Sequence, residues 1–323
     1  MTHAFAPLMA AAALLAIATP AGAADYPSKA IKLVVPYSPG GSTDALARLV
    51  GEKLTQRLGQ PVVVENKPGA AEQIAITSVT KAAPDGYTLL VSTFSGLAVN
   101  PSLYAKLPYD ANKDLVPISL AATVPTVVVV HPQVPAKTMA ELAAYIKSKP
   151  GAVSYASAGN GTPSHLGMES YKKITGLDAV HVPYKGGAPA LQELMGGQVQ
   201  LMMALAPEAM PMVKAGKLRA IAAATPQRIP AYPELPTVAE SGLKDFDLDF
   251  WYAFMAPAGT PAAITAKLNQ TIDAILQEKD VRARLAELSL DVVGGAPARV
   301  SERIKADGAK WKKVIDEAGI KVD

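Results

Sequence analysis

The chain has 323 residues, 31 basic and 28 acidic side chains, four histidines and no cysteine. This length predicts about two domains, and because half of the residues are apolar, the chain can bury a core rather than remain disordered. The lack of cysteine excludes disulfides, a thiol nucleophile and thiolate metal sites, and a net charge of +3 without blocks of like charge argues against a nucleic-acid surface.

Residues 1–24 have the pattern of a secretory signal peptide. An apolar run at residues 8–18 is followed by Ala21-Gly22-Ala23, the small-x-small pattern that a signal peptidase recognises. The run is well short of the ~20 residues that span a bilayer as a helix, although no Lys or Arg precedes it. We expect cleavage after Ala23 or Ala24 and a secreted mature chain. An apolar helix packed on the first domain is the alternative.

Beyond residue 25, short β-rich runs alternate with helical periodicity, as in Leu46, Val50 and Leu54. This alternation predicts an α/β fold with a mostly parallel sheet flanked by helices in each of two lobes. The predicted strands cover residues 31–35, 62–64, 88–92, 126–130, 153–156, about 180, 199–203 and 218–224. The predicted helices cover residues 43–58, 70–81, 138–148, 163–175, 188–195, 262–277 and 297–317.

Two apolar stretches, residues 118–130 and 246–256, are too long for single strands of one sheet. Strands that leave one sheet and enter another explain both stretches. The first domain is then discontinuous, formed by residues 25–122 and 254–323, and residues 123–253 form the second. This layout is typical of a hinge-closing binding protein whose ligand lies between two lobes.

Two glycine-rich loops, residues 36–44 and 157–165, each join a predicted strand to a helix. Glycine lets a backbone approach a ligand closely, and Ser42, Thr43 or Thr162 can cap the helices. The free amides of a helix's first turn, with the dipole behind them, favour an anion. Because this arrangement occurs once in each predicted lobe, we expect a small dicarboxylate with one carboxylate bound in each lobe.

The motifs of several other functions are missing. No G-x-G-x-x-G follows the first strand and there is no P-loop, nor a G-x-S-x-G elbow or an H-E-x-x-H. His131 and His181 are interpreted as structural residues, and His165 as a pocket-wall donor or a hydrogen-bonding residue at the helix start. His165 and Glu169 have the i, i+4 spacing of a metal pair, but no third ligand is evident. We therefore expect no metal and no cofactor.

A series of short motifs runs through residues 26–321 in a fixed order. They are Tyr26-Pro27-Ser28-Lys29, Val35-Pro36-Tyr37-Ser38-Pro39-Gly40-Gly41, Val64-Glu65-Asn66-Lys67-Pro68-Gly69-Ala70, Ala83-Pro84-Asp85-Gly86-Tyr87-Thr88-Leu89, residues 154–166, His181-Val182-Pro183-Tyr184-Lys185-Gly186-Gly187, Pro236-Thr237-Val238-Ala239-Glu240-Ser241-Gly242 and Ala256-Pro257-Ala258-Gly259-Thr260-Pro261. Together they resemble the solute-binding proteins of tripartite tricarboxylate transporters, the Bug or TctC family.

This resemblance implies a periplasmic protein of the type II venus-flytrap fold that binds a carboxylate. We expect a monomer without catalytic activity. The resemblance implies delivery of the ligand to a permease with a large and a small membrane subunit. It also implies that both glycine loops hold the same carboxylate, partly through water, so the number of carboxylates stays open. The predicted ligand-binding residues are Tyr37, Ser38, Gly40, Gly41, Ser42, Thr43, Ser95, Ser157, Ala158, Gly159, Asn160, Gly161, Thr162, His165, Tyr184, Lys185, Gly186, Gly187 and Ala204.

Two departures from the family pattern bear on the ligand. Glu72 lies in a helix start where the family has more glycine. Ala204 stands where the family often has an acidic residue, close to Met202 and Met203. The missing carboxylate favours a ligand without an amine, such as an aromatic or other larger mono- or dicarboxylate. The alternative interpretation of the methionines is that they are core residues.

Two other functions remain compatible with the sequence. A secreted hydrolase of carboxylate esters could use Ser42 or Ser95 with His165, but it needs an acidic partner and an oxyanion hole that no motif supplies. A ligand sensor for a membrane kinase would rely on the same binding event as a transport protein. The sequence does not separate these two uses of one cleft.

Overall fold

A computed structural model describes residues 26–244, 246–248, 250–320 and 322 of the chain. The expected signal peptide, residues 1–24, lies outside this part. None of the helices within it is long and apolar enough to cross a membrane.

Strands and helices alternate through most of the described chain, as the sequence predicts. The strands are β1 (Ile31–Val35), β2 (Val62–Asn66), β3 (Thr88–Thr93), β4 (Leu115–Val124), β5 (Thr126–Val130), β6 (Ser154–Ser157), β7 (Val180–Pro183), β8 (Leu201–Leu205), β9 (Arg219–Ala223), β10 (Phe250–Pro257) and β11 (Asp291–Val292). The helices are α1 (Ser42–Leu58), α2 (Gln73–Thr80), α3 (Asn100–Leu103), α4 (Ala111–Asp114), α5 (Met139–Lys147), α6 (Pro163–Thr175), α7 (Gly187–Met195), α8 (Ala206–Lys214), α9 (Ala262–Leu276), α10 (Lys279–Glu287) and α11 (Ala298–Ala318). A 3₁₀ turn at Ala70–Glu72 precedes α2, and a π-helical segment at Ser95–Val99 follows β3.

Within the described residues, the strands form two sheets, one in each lobe. The first lobe has a six-stranded sheet in the order β11-β4-β10-β3-β1-β2, and the second a five-stranded sheet in the order β7-β6-β8-β5-β9. The two sheets are mixed rather than mostly parallel. The triplets β2-β1-β3 and β7-β6-β8 are parallel, whereas β10, β4 and β11 in one sheet and β5 and β9 in the other pair antiparallel.

The antiparallel strands arise because the chain passes between the sheets without a helical crossover, which parallel pairing requires. β4 ends at Val124 in the first sheet, and after Pro125 the chain enters the second sheet as β5. On the return, the Leu248 N–H donates to the Ala224 carbonyl beside β9, and β10 then begins in the first sheet at Phe250. Both long apolar stretches therefore change sheets, as predicted.

β5 illustrates why these crossing strands are apolar throughout. Successive side chains of a strand point to opposite faces. Val127 and Val129 pack in a cluster with Leu191 of α7, while Val128 belongs to a cluster that includes Leu142 of α5. Both faces of β5 are buried, so its sequence shows no polar alternation.

Candidate functional site

Two adjoining cavities lie between the lobes. The first has a volume of about 60 Å³ and is lined by the loop before α1, the starts of α6 and α7, and the end of β8 with α8. The second, of about 200 Å³, shares Tyr37, Ala158, Thr162 and Lys185 with the first. Both loops predicted to bind an anion therefore reach the same cleft, one from each lobe.

Most predicted site residues line this cleft. Those of the first cavity are Tyr37, Ser38, Gly41, Thr43, Ala158, Thr162, Lys185, Gly186 and Gly187. The second cavity adds Ser95, Gly159, Asn160 and Tyr184. The predicted residues that line neither cavity are Gly40, Ser42, Ser157, Gly161, His165 and Ala204.

The first loop presents the N-terminus of α1 to the cleft. Helix α1 begins after Gly41, and no side chain caps it, so the sequence expectation of a hydroxyl cap from Ser42 or Thr43 is wrong. Asp44 instead holds the loop, since its carboxylate accepts from the Gly40 N–H at 3.0 Å and from Arg48 Nε at 2.9 Å. Burial opposes ionisation of Asp44, but these bonds and Asn66 outweigh it and lower its pKa.

The second loop is tied together by its own hydroxyls. The Thr162 hydroxyl donates to the Gly159 carbonyl at 2.6 Å instead of capping α6, and Ser164 Oγ accepts from the Ala158 N–H at 2.9 Å. Ser157 Oγ lies 2.6 Å from His181 Nε2 and accepts from the Gly159 N–H at 3.1 Å. These hydrogen bonds within the loop hold its shape.

Two stacked histidines support this loop from behind. The rings of His165 and His181 lie 4.2 Å apart, and His165 Nδ1 accepts from the Gly161 N–H at 3.2 Å. Burial lowers the pKa of His165 to about 4 and, with the neighbouring His165, that of His181 to about 3. Both rings are therefore neutral near pH 7. Glu169 turns to the Tyr155 hydroxyl at 2.5 Å and to Lys172 Nζ at 2.8 Å.

A third helix N-terminus opens onto the cleft at the start of α7. Gly186 precedes this helix with a φ of 129°, and no side chain caps it. The exposed Lys185 lines both cavities beside it. On the opposite side, Ser95 is buried in the second cavity wall, and among the described residues its Oγ has no hydrogen-bond partner. Besides carboxyl groups, the described residues that line the cleft therefore offer amides, hydroxyls and the cation of Lys185.

Ala204 does not contribute to the cleft. It is fully buried, pairs with Val127 of β5 and packs in the core of the second lobe. Its neighbours Met202 and Met203 line the first cavity. The expectation that Ala204 forms the pocket wall therefore has to be corrected to these methionines, because strand pairing buries residue 204 away from the cavity.

Sequence reasoning missed Glu208, which lines the first cavity from α8. Proline disfavours a helix interior, but Pro207 lies in the first turn of α8, where its missing N–H costs no hydrogen bond. Glu208 Oε1 accepts from the Ser42 hydroxyl at 3.1 Å and from the Ser42 N–H at 3.4 Å. Glu208 is half-buried at the cavity wall. This burial raises the pKa of Glu208, and the bonds from Ser42 oppose the rise.

Glu72 is a buried carboxyl, 1% exposed, in the wall of the second cavity. It accepts from the Tyr37 hydroxyl at 2.9 Å, the Ser92 hydroxyl at 2.8 Å and the Gly96 N–H at 3.2 Å. It also accepts from the backbone and the hydroxyl of Thr93. Burial raises the pKa of Glu72, although these donors oppose the shift. Glu72 thereby fixes the Tyr37 ring that both cavities share.

Replacement of Glu72 by glutamine is expected to destabilise the protein by about 2–4 kcal/mol, because the amide NH₂ would face donors that lose their acceptor. The free energy of unfolding from urea titration measures this loss. The exposed Glu52, changed to glutamine, is the matched control. A Glu72→Gln protein as stable as the control would show that the buried network is not needed for stability.

Two open, mixed α/β sheets, two crossings between them and an interlobe cleft at helix N-termini define a two-lobed periplasmic binding protein. The sequence model of the "Tripartite tricarboxylate transporter family receptor" matches residues 46–320. The chain belongs to this family, as its motifs predict. It is a solute-binding receptor and not an enzyme.

Relatives and solved structures agree with this assignment. The chain is 38% identical over 307 residues to protein BugT of Bordetella pertussis, covering 95% of this chain and 94% of BugT. It is similar to R. palustris Rpa4515 with adipate, at a TM-score of 0.89 and 35% identity, covering 91% of this chain and 99% of the other. It is also similar to MatC from Rhodopseudomonas palustris with bound malate, at a TM-score of 0.85 and 35% identity, covering 90% and 100%.

Proposed function

We propose that this protein captures a small carboxylate in the periplasm and delivers it to the large and small membrane subunits of a tripartite tricarboxylate transporter. The observation that carries the proposal is the convergence of α1 from one lobe with α6 and α7 from the other on a single cleft. The adipate and malate in the two similar structures support a carboxylate ligand.

The binding energy comes from main-chain amides and hydroxyls. Each charge-assisted hydrogen bond to a carboxylate contributes on the order of 1.5–3 kcal/mol. Four to six of them, less the costs of ordering and desolvation, are enough for the ~8 kcal/mol of micromolar binding. We assign direct contacts to the predicted residues that line the cavities. Gly40, Ser42, Ser157, Gly161 and His165 shape the loops that present those contacts.

Closure of the lobes over the ligand gives the transport subunits a signal that the site is filled. We propose that residues 25–122 with 254–323 move as one lobe and residues 123–253 as the other. The hinge then comprises the two crossings, at Pro125 and near Leu248. A monomer suffices for this cycle, because each lobe of one chain supplies its own half of the cleft.

A thermal-shift screen against aliphatic and aromatic carboxylates, including adipate and malate, tests the proposal. A ligand present at 100 times its Kd adds about 2.7 kcal/mol to the apparent stability. We expect at least one acid to raise the melting temperature in proportion to the logarithm of its concentration, with calorimetry confirming a single site. If no carboxylate or amino acid produces a shift or a binding isotherm, the proposed function is wrong.

A further inference from the structure

A carboxylate of the protein lies inside a cleft built for an anion. Glu208 lines the first cavity together with Gly41 and Gly187. Its hydrogen bonds from Ser42 are both to Oε1, and within the described residues no hydrogen bond reaches Oε2. A Cβ atom at residue 187 would overlap Oε2, so Gly187 leaves the space that this oxygen fills.

The charges that line the first cavity are Glu208 and Lys185, with Lys185 exposed at the cleft. A ligand carboxylate at the starts of α1 and α7 would lie close to an ionised Glu208, because the Glu208 carboxyl lies against both Gly41 and Gly187. Two like charges in contact repel strongly where protein has replaced most of the surrounding water. A cation between the two carboxylates replaces this repulsion by two attractions.

We propose that the ligand is a zwitterion whose carboxylate binds at the helix N-termini and whose ammonium group binds Glu208 through Oε2. The inference rests on the proposed function and narrows it to acids that carry an amine. From Ala204, the sequence predicts a ligand without an amine, and the inference reverses this expectation. The carboxylate that is missing from β8 is replaced in the cleft by Glu208 from the first turn of α8.

Isothermal titration calorimetry with matched ligand pairs tests the assignment. The pairs are succinate and aspartate, glutarate and glutamate, and 3-phenylpropanoate and phenylalanine, whose members differ only by one ammonium group. In the wild-type protein, the amino member of the best-fitting pair is expected to bind at least about tenfold more tightly. Glu208→Gln keeps the shape of the side chain and removes its charge. In this variant, the ratio of the two dissociation constants within a ligand pair is expected to fall by about tenfold or more.

Two further variants keep the test decisive. Glu234→Gln removes an exposed carboxylate from the second lobe and is expected to keep the wild-type preference. Gly187→Ala keeps the charge but displaces Oε2, so it is expected to lose the preference even if Glu208→Gln does not fold.

The outcomes separate the two proposals. If the acids without an amine bind equally well or better, or if the preference survives both Glu208→Gln and Gly187→Ala, the inference is wrong and carboxylate binding stands. Tighter binding of diacids at acidic pH would instead assign Glu208 a protonated, donor role and would also overturn it. If no member of any pair and no other carboxylate binds, the proposed function itself fails.

Discussion

Replacement of Gly161 by valine is expected to weaken ligand binding by about 100-fold or more while the protein stays folded. Gly161 adopts a φ of 73°, and a Cβ atom there would lie 2.7 Å from Leu103 Cδ2 and 3.5 Å from Asn100 Oδ1. Gly161 belongs to the second lobe, whereas Leu103 and Asn100 belong to α3 of the first. A side chain at residue 161 would therefore hold the two lobes apart, whereas closure of the cleft requires residue 161 to lie against α3.

Gly176 provides the matched control at the other end of α6. It has a similar φ of 68°, but nothing lies within 4 Å of its Cβ position. Valine at either site suffers left-handed backbone strain of roughly 1–2 kcal/mol, so the two variants are expected to lose similar stability. Only Gly161→Val is expected to lose affinity in calorimetric titration. Equal affinities of the two variants would contradict the role of Gly161 in closure.

The same comparison distinguishes the two glycine loops. From sequence, Gly40 and Gly161 have equivalent positions at the starts of their helices. In the structure, Gly40 has a φ of 94° but no atom within 4 Å of its Cβ position. Substitution of Gly40 therefore strains the backbone without blocking the approach of the lobes.

The protein is expected to lose about 2 kcal/mol of stability between pH 7 and pH 5 through His165. Burial lowers the pKa of His165 from 6.5 to about 4 in the folded protein. Below pH 6.5 the unfolded chain takes up a proton that the folded protein does not, so stability falls as the pH decreases toward 4. Each pH unit in this range costs about 1.4 kcal/mol. His181, with a folded pKa of about 3, adds an effect of the same sign and of similar size in this pH range.

Urea titrations at several pH values measure this slope. Asp44 and Glu169 have lowered pKa values. Above about pH 5 such carboxyls are largely ionised in both the folded and the unfolded chain, so they contribute little to the change in stability between pH 7 and pH 5. The buried Glu72 and the half-buried Glu208 have raised pKa values, so their protonation in the folded protein changes stability in the opposite direction. The contribution of His165 therefore has to be measured by comparing the wild type with a variant that keeps these carboxyls and lacks the histidine.

His165→Asn provides that difference, since asparagine Oδ1 can accept from the Gly161 N–H in place of Nδ1. The variant is expected to show a smaller decrease in stability between pH 7 and pH 5 than the wild type. His131→Asn removes a histidine outside the stack and serves as the comparison. An unchanged slope in His165→Asn would mean that the buried imidazole does not couple folding to pH.

Local rules were sufficient for several elements near the site. Helix α6 begins at Pro163 and ends at the left-handed Gly176, as predicted. Proline has a fixed φ suited to a first turn, and glycine adopts the left-handed conformation that ends a helix. Both effects act within a few residues. The same holds for the β1–α1–β2 unit, and so for the loop between β1 and α1.

Other features of the cleft depend on contacts between distant segments. Thr162 occupies the capping position predicted for it, but its hydroxyl bonds to Gly159 within the loop. Helix α8 forms although Pro211 lies inside it, because Ala206, Ala209 and Met210 are buried in the second lobe. Burial of an apolar face stabilises such a helix more than propensity opposes it.

Turn residues, helix stops and the apolar character of the crossing strands could be read from the chain alone, because each depends on backbone conformation or burial within one segment. The contents of the cleft could not. Ser42 and Glu208 are 166 positions apart and meet through hydrogen bonds across the lobes. The packing of remote segments decides which charges share a cavity and how strongly burial shifts their pKa values. Here it brings the Glu208 carboxylate into a cleft that the sequence motifs alone predict to bind anions.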